Sequence, residues 1–159
     1  PLDNRYSSKI IDTRLCFSEA ELIKLRFIIE IDWLIYLSEK NPKYFLKLTN
    51  RSKKKLIDFK NQFSDKDVLK IKKIEKKTNH DVNAVVVFVS EKLKKIGRDD
   101  LVPFVHFGLT SEDINNISYS LMTRGAVDNV MIPSVKGVLK ELKTLSKNRH
   151  FLHFFTGKI

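Results

Sequence analysis

Val82-Asn83-Ala84-Val85-Val86-Val87-Phe88-Val89 is the stretch on which the fold class turns. Residues 85–89 are β-branched or aromatic, the ordinary vocabulary of a strand. The longer window reads differently. Val82, Val85, Val86, Val89, Leu93 and Ile96 recur at three- and four-residue steps as far as Gly97, the period of an amphipathic helix closed by a glycine. The window predicts a helix, and with it an all-α protein.

The flanking segments agree. Ser18-Glu19-Ala20-Glu21 has the spacing of a capping box and opens a helix expected to run to about Glu39. That helix is apolar almost all round, through Leu22, Ile23, Leu25, Phe27, Ile28, Ile31, Trp33 and Leu34, so it should be buried on more than one side. Asn41-Pro42 should stop it. A surface helix is expected over about 51–62. Ser64 should cap another, with Val68, Ile71 and Ile74 on one face and lysines around it. Residues 98–108 read as a connector with Pro103. Thr110, with Asp113 three residues on, begins a further helix whose buried stripe should be Ile114, Ile117, Leu121 and Met122. Gly125 marks a kink or a close helix contact, and Pro133 the first residue of a last helix with Val135, Val138, Leu139, Leu142 and Leu145 on one stripe. Residues 1–16 have no sustained period and read as an extended arm, and the segment 149–159 has none either.

Composition sets outer limits. The chain has 159 residues, 42% hydrophobic and 31% charged, with 5 glycines and 4 prolines, which is the balance of a globular domain. Cys16 is the single cysteine, so neither an internal disulfide nor a cysteine zinc site is available, and a cytoplasmic setting is the default. No signal peptide is legible, and charges interrupt every apolar run, so no membrane partner is expected. The net charge of +11 invites a polyanion reading. Most of the excess is lysine on the wet faces of predicted helices. No zinc finger, RNP-type aromatic run or basic region before heptads accompanies it, so nucleic acid is not the expected partner.

Polar groups suited to chemistry gather at helix starts. Arg5-Tyr6 combines a planar guanidinium with a hydroxyl, a pair that can take a phosphate. Thr78-Asn79-His80-Asp81 stands before the valine-rich helix, where free backbone N–H groups favour anions. The bland alternative is that Asn79 or Asp81 caps that helix and His80 bonds locally. Thr110-Ser111 places two hydroxyls at another helix start, with a capping box as the alternative. His106, between Phe104 and Phe107, reads as packed. His150 and His153 lack the spacing of a metal pair, so no metal is proposed.

In order, these blocks resemble the N-terminal part of adenylosuccinate lyase, in the fumarase/aspartase superfamily. Leu2-Asp3-Asn4-Arg5-Tyr6 is similar to that family's opening run, with Asn4 where glycine is usual. Phe17-Ser18-Glu19 with Leu22, Lys24, Arg26 and Trp33 resembles its first long helix. Thr78-Asn79-His80-Asp81-Val82 and Thr110-Ser111-Glu112-Asp113-Ile114-Asn115-Asn116 resemble its two internal blocks, the second in the form of the bacterial-type branch. The likeness runs from residue 1 to about residue 147.

The resemblance implies an N-terminal helical domain over residues 1–110, followed by the first helices of a long helical bundle over 111–159, cut short there. It implies a homotetramer that eliminates fumarate from adenylosuccinate, giving AMP, and from the succinylated aminoimidazole carboxamide ribotide, without metal or organic cofactor. Arg5 and Tyr6 would then contact the nucleotide, Asn79, His80 and Asp81 line the substrate site, and Thr110 and Ser111 hold the succinyl carboxylate. The family's general acid is a histidine in a Thr-His-Gly turn, whereas Thr156-Gly157 here has none between. The general base, a serine on a later loop, would lie beyond residue 159. No catalytic residue is therefore expected within this chain, and alone it should be inactive. A basic nucleic-acid-binding module and another lyase of the superfamily are the competing functions.

Overall fold

The structure is a computed structural model and describes residues 5–40 and 47–147. Its elements are helical: α1 (Ile11–Cys16), α2 (Glu19–Lys40), α3 (Asn50–Asn61), α4 (Asp65–Thr78), α5 (Asp81–Lys95), α6 (Ser111–Ala126) and α7 (Ile132–Lys147). The protein is all-α, and no strand occurs among the described residues. No described helix is long and apolar enough to cross a membrane. The chain forms two compact units, one of Phe17–Met122 and one of Pro1–Cys16 with Thr123–Ile159.

In the first unit the valine-rich stretch is helical because its apolar period matches the buried side of α5. Val82, Ala84, Val85, Phe88, Val89 and Leu93 are all buried. Gly97 follows the helix at φ 70°, a left-handed position that glycine occupies without a Cβ penalty. α2 is the central element and packs against α3, α4 and α5, which is why apolar residues surround it. Phe27 is wholly buried, with its ring 4.9 Å from that of Phe63 and 5.7 Å from that of Phe88. Leu56 of α3 and Ile71 of α4 close the same core.

The caps lie where their residue types predict. The Ser18 hydroxyl accepts from the Glu21 N–H at 3.1 Å. Ser64 and Asp67 form a reciprocal capping box at the start of α4. Thr49 caps α3 through the Ser52 N–H. Asn41-Pro42, expected to stop α2, and the segment 149–159 lie outside the described residues.

Several expectations are corrected. Within the region read as an extended arm, residues 5–16 are not extended: Ser7–Lys9 forms a 3-10 turn and Ile11–Cys16 is helical. An element of six residues is too short to display a period. In α6 the buried line is Ile114, Ser118, Met122 and Ala126, four residues apart, while Ile117 is 46% and Leu121 40% exposed. Only one narrow side of α6 is covered, so the wider stripe read from sequence is half wet. Pro133 is the second residue of α7, one place after the expected start, and no break in the helix precedes it. The helical backbone is unbroken from Ser111 to Lys147, and Val127–Met131 is a π-helical turn in which the Ile132 N–H bonds the Val127 carbonyl. A proline ring collides with the carbonyl four residues back in a regular helix, and the wider turn just before Pro133 re-registers those carbonyls. Gly125 sits just before this turn and makes no close helix contact among the described residues. The stripe of α7 is exposed, from 43% at Leu145 to 61% at Val138.

Phe27→Ala should cost about 3–5 kcal/mol in urea denaturation, the usual penalty for emptying a buried aromatic site. Ile117→Ser should stay within about 0.5 kcal/mol of the parent; a larger loss at Ile117 would return it to the buried stripe.

Candidate functional site

The Asn79–Asp81 segment is a tight passage between two helices. Asn79 closes α4 in a left-handed conformation, φ 50°, with its N–H on the Glu75 carbonyl at 2.8 Å. Asparagine tolerates this region because its short polar side chain compensates locally. The next residue, His80, is extended and caps α5: its Nδ1 accepts from the Asn83 N–H at 3.1 Å. The cap is therefore the histidine itself, not Asn79 or Asp81. A neutral ring that accepts through Nδ1 carries its proton on Nε2, which makes that nitrogen a donor.

Asp81 opens α5 and faces two ways. Its Oδ1 accepts from the Val82 N–H at 2.8 Å, and its Oδ2 lies 2.7 Å from Nη2 of Arg26. Burial pushes the Asp81 carboxyl up, but the Val82 N–H and then the Arg26 charge outweigh it and hold it below the usual carboxylate range.

The second helix start is built on Thr110. Its N–H and its hydroxyl both donate to Oδ2 of Asp113, at 2.7 and 2.8 Å, and the Asp113 N–H approaches the Thr110 hydroxyl at 3.4 Å. These contacts hold Asp113 below the usual carboxylate range, the Thr110 N–H most of all. The proton of the Thr110 hydroxyl is thus committed to the cap. Ser111, the first residue of α6, is half-buried, and its hydroxyl has no hydrogen-bond partner among the described residues.

Arg26 joins the two starts, and the sequence reading missed this role. It is 4% exposed on α2. Its Nε and Nη2 donate to Oδ1 of Asn115 at 3.0 and 2.8 Å, while Nη2 also meets Asp81. Asn115 in turn donates to Glu112 at 3.1 Å. Ile29, Val82 and Ile114, with Leu109 against them, form a small apolar cluster between the same three helices. Arg26 and this cluster thereby tie the first turn of α5 to Ile114 and Asn115 of α6. The signal was present: a cation in a helix apolar on every side has to be buried and paired.

An open recess of about 560 Å³ lies at the junction of α4 and α5, lined by Lys72, Glu75, Lys76, Asn79, His80 and Asp81. Lys72 is bound to Glu19 at 2.7 Å and to Glu75 at 2.9 Å. With both lining carboxylates engaged, Lys76, His80 and Asn79 offer donors to an anionic ligand. Arg5 and Tyr6 belong to the other compact unit, where the guanidinium carbon lies 5.5 Å from the Tyr6 ring centroid.

Arg26→Leu should destabilise the chain by about 2 kcal/mol. That is less than the 3–5 of a fully buried broken pair, because Asp81 is half exposed and solvent screens it. Folded Asp81 holds its proton less tightly than unfolded Asp81. Its stabilising contribution is therefore complete above the ordinary carboxylate range and is lost as pH falls through the lowered folded value. Asp81→Asn should flatten that acid arm of the stability–pH curve; an unchanged acid arm would refute the pairing.

A sequence profile for the family described as Lyase matches residues 34–151. The chain is 40% identical over 153 residues to the adenylosuccinate lyase of Buchnera aphidicola subsp. Baizongia pistaciae, covering 94% of this chain and 33% of the relative. It is 39% identical over 149 residues to that of Vibrio cholerae, covering 92% of this chain and 33% of the relative. With that of Dictyostelium discoideum it shares 40% over 152 residues, again 92% and 33%. The chain spans about a third of the length of the relatives it matches. The chain belongs to the lyase family, and the relatives it is similar to there are adenylosuccinate lyases.

Proposed function

We propose that this chain is the substrate-binding N-terminal part of an adenylosuccinate lyase working in the cytoplasm on a succinylated purine ribotide. The single observation that supports the reading is the Arg26 bridge, which ties Asp81 at the start of α5 to Asn115, one turn into α6. Helix starts offer free N–H groups to anions, and the substrate is anionic at its phosphate and at both succinyl carboxylates. In this reading Asn79, His80 and Asp81 line the substrate site, and Thr110 and Ser111 form the seat of a succinyl carboxylate, Ser111 donating to it while Thr110, its own donors on Asp113, fixes the helix start. The Ser111 hydroxyl has no partner among the described residues and can donate to that carboxylate. Arg5 and Tyr6 contact the nucleotide.

The reaction is a β-elimination. A base takes the proton from the carbon beside a carboxylate, the C–N bond breaks, and an acid protonates the departing nitrogen as fumarate leaves. The residues assigned here bind and orient; the acid and base are supplied by other parts of the enzyme. Residues 1–110 are proposed as the helical substrate domain and 111–159 as the opening of a bundle. The exposed apolar stripe of α7 supports assembly into a homo-oligomer, a tetramer in the family this chain resembles.

Titration of the chain with AMP and with adenylosuccinate by calorimetry should show saturable binding. His80→Ala should weaken it about tenfold, the scale of one lost directed hydrogen bond. No turnover of adenylosuccinate is expected from the chain alone. Binding of an oligonucleotide with a steep salt dependence, and none of either nucleotide, would favour the nucleic-acid alternative and overturn the proposal.

A further inference from the structure

Glu30 of α2 is wholly buried. Its Oε1 lies 2.6 Å from Nδ1 of His106, and its Oε2 has no hydrogen-bond partner among the described residues. Burying a carboxylate in this half-satisfied way works against stability, and an apolar side chain of the same shape would serve packing better. Burial accordingly pushes the Glu30 carboxyl above its ordinary value, although the His106 contact pulls it down. Arg26, one turn earlier on α2, is committed to Asp81 and Asn115, so His106 is the group left to answer this charge.

What the contact holds is unusual backbone. His106 is left-handed at φ 62°, a conformation that costs a non-glycine residue energy and persists only where the surroundings impose it. Gly108 follows at φ 72°. The His106 carbonyl accepts from the Leu109 N–H at 3.2 Å, closing a turn that delivers the chain to Thr110. Three residues beyond Glu30, Trp33 donates its Nε1–H to the Phe107 carbonyl at 2.9 Å. Two side chains of α2 therefore pin consecutive residues of the turn immediately before the Thr110–Ser111 helix start. Asp113, the remaining titratable group beside His106, is occupied in capping Thr110.

We infer that Glu30 is a positioning residue: through the His106 ring it fixes the turn that aims Thr110 and Ser111 at a ligand carboxylate. The inference rests on the proposed role of Thr110 and Ser111, but its geometry can be tested without it.

The test compares the 159-residue chain with Glu30→Leu and Glu30→Gln by NMR and by titration with succinate. In the parent, His106 should show a protonated Nδ1, as a carboxylate acceptor requires. Glu30→Leu should melt no lower than the parent, yet lose that ring signature, shift the Thr110 and Ser111 amides, and bind succinate about tenfold more weakly. Glu30→Gln keeps an acceptor oxygen and should retain the parent ring state and most of the affinity. Unchanged Thr110 and Ser111 amides in folded Glu30→Leu would overturn the inference. Should the leucine variant not fold, His106→Ala gives the same amide comparison. A parent that ignores succinate would sink the substrate reading, while the ring and amide shifts would still decide the role of Glu30.

Discussion

A buried guanidinium cannot be left alone. Arg26 sits on a helix that is mostly apolar, and taking its charge out of water is tolerable only because a carboxylate and an amide oxygen meet it. That requirement reaches across the fold. Asp81 comes from the first turn of α5 and Asn115 from the second turn of α6, so two helices are located by the need to satisfy one side chain of α2. The apolar contacts among Ile29, Val82 and Ile114 supply adhesion, and the ionic contact supplies register. Nondirectional burial alone would let either helix slide or rotate by a fraction of a turn.

α2 acts as a ruler for the polar part of the molecule. Arg26, Glu30 and Trp33 stand at steps of four and three residues, hence on one side of the helix, and each engages the 106–115 segment. A segment held at three points along a rigid helix behaves as part of the scaffold although it contains a connector. This explains how a left-handed histidine persists outside regular structure, and why the hydroxyls beyond it have a defined place.

Much of the fold was legible in the sequence. The period through Val82, Val89 and Leu93 outweighed the strand propensity of residues 85–89, because a helix buries exactly one set of those side chains and a strand would bury another. Ser18, Ser64 and Thr110 announced their helices by local capping chemistry, which depends on neighbours a few residues away. What could not be read depends on residues far apart in the chain. Nothing near Arg26 names Asp81 or Asn115, and nothing near His106 names Glu30. The exposure of Ile117 and Leu121 depends on which side of α6 meets a neighbour, which the period alone leaves undecided. The π turn before Pro133 was hidden because a proline marks a helix start far more often than a widened turn. At the candidate site, the residue types and the helix starts were visible, but the Arg26 link between Asp81 and Asn115 was not.

The pairing of Lys72 with Glu19 and Glu75 carries a consequence for how an anion would be taken up. The recess is lined by two ammonium groups and two carboxylates, so its own electrostatic balance is close to even, although the whole chain carries +11. Capture and choice are then separate properties. The diffuse lysine field draws anions of every kind toward the surface and fades with ionic strength. Discrimination at the recess belongs to short, oriented N–H and O–H bonds that salt barely touches, so raising the ionic strength should slow arrival far more than it blurs selectivity.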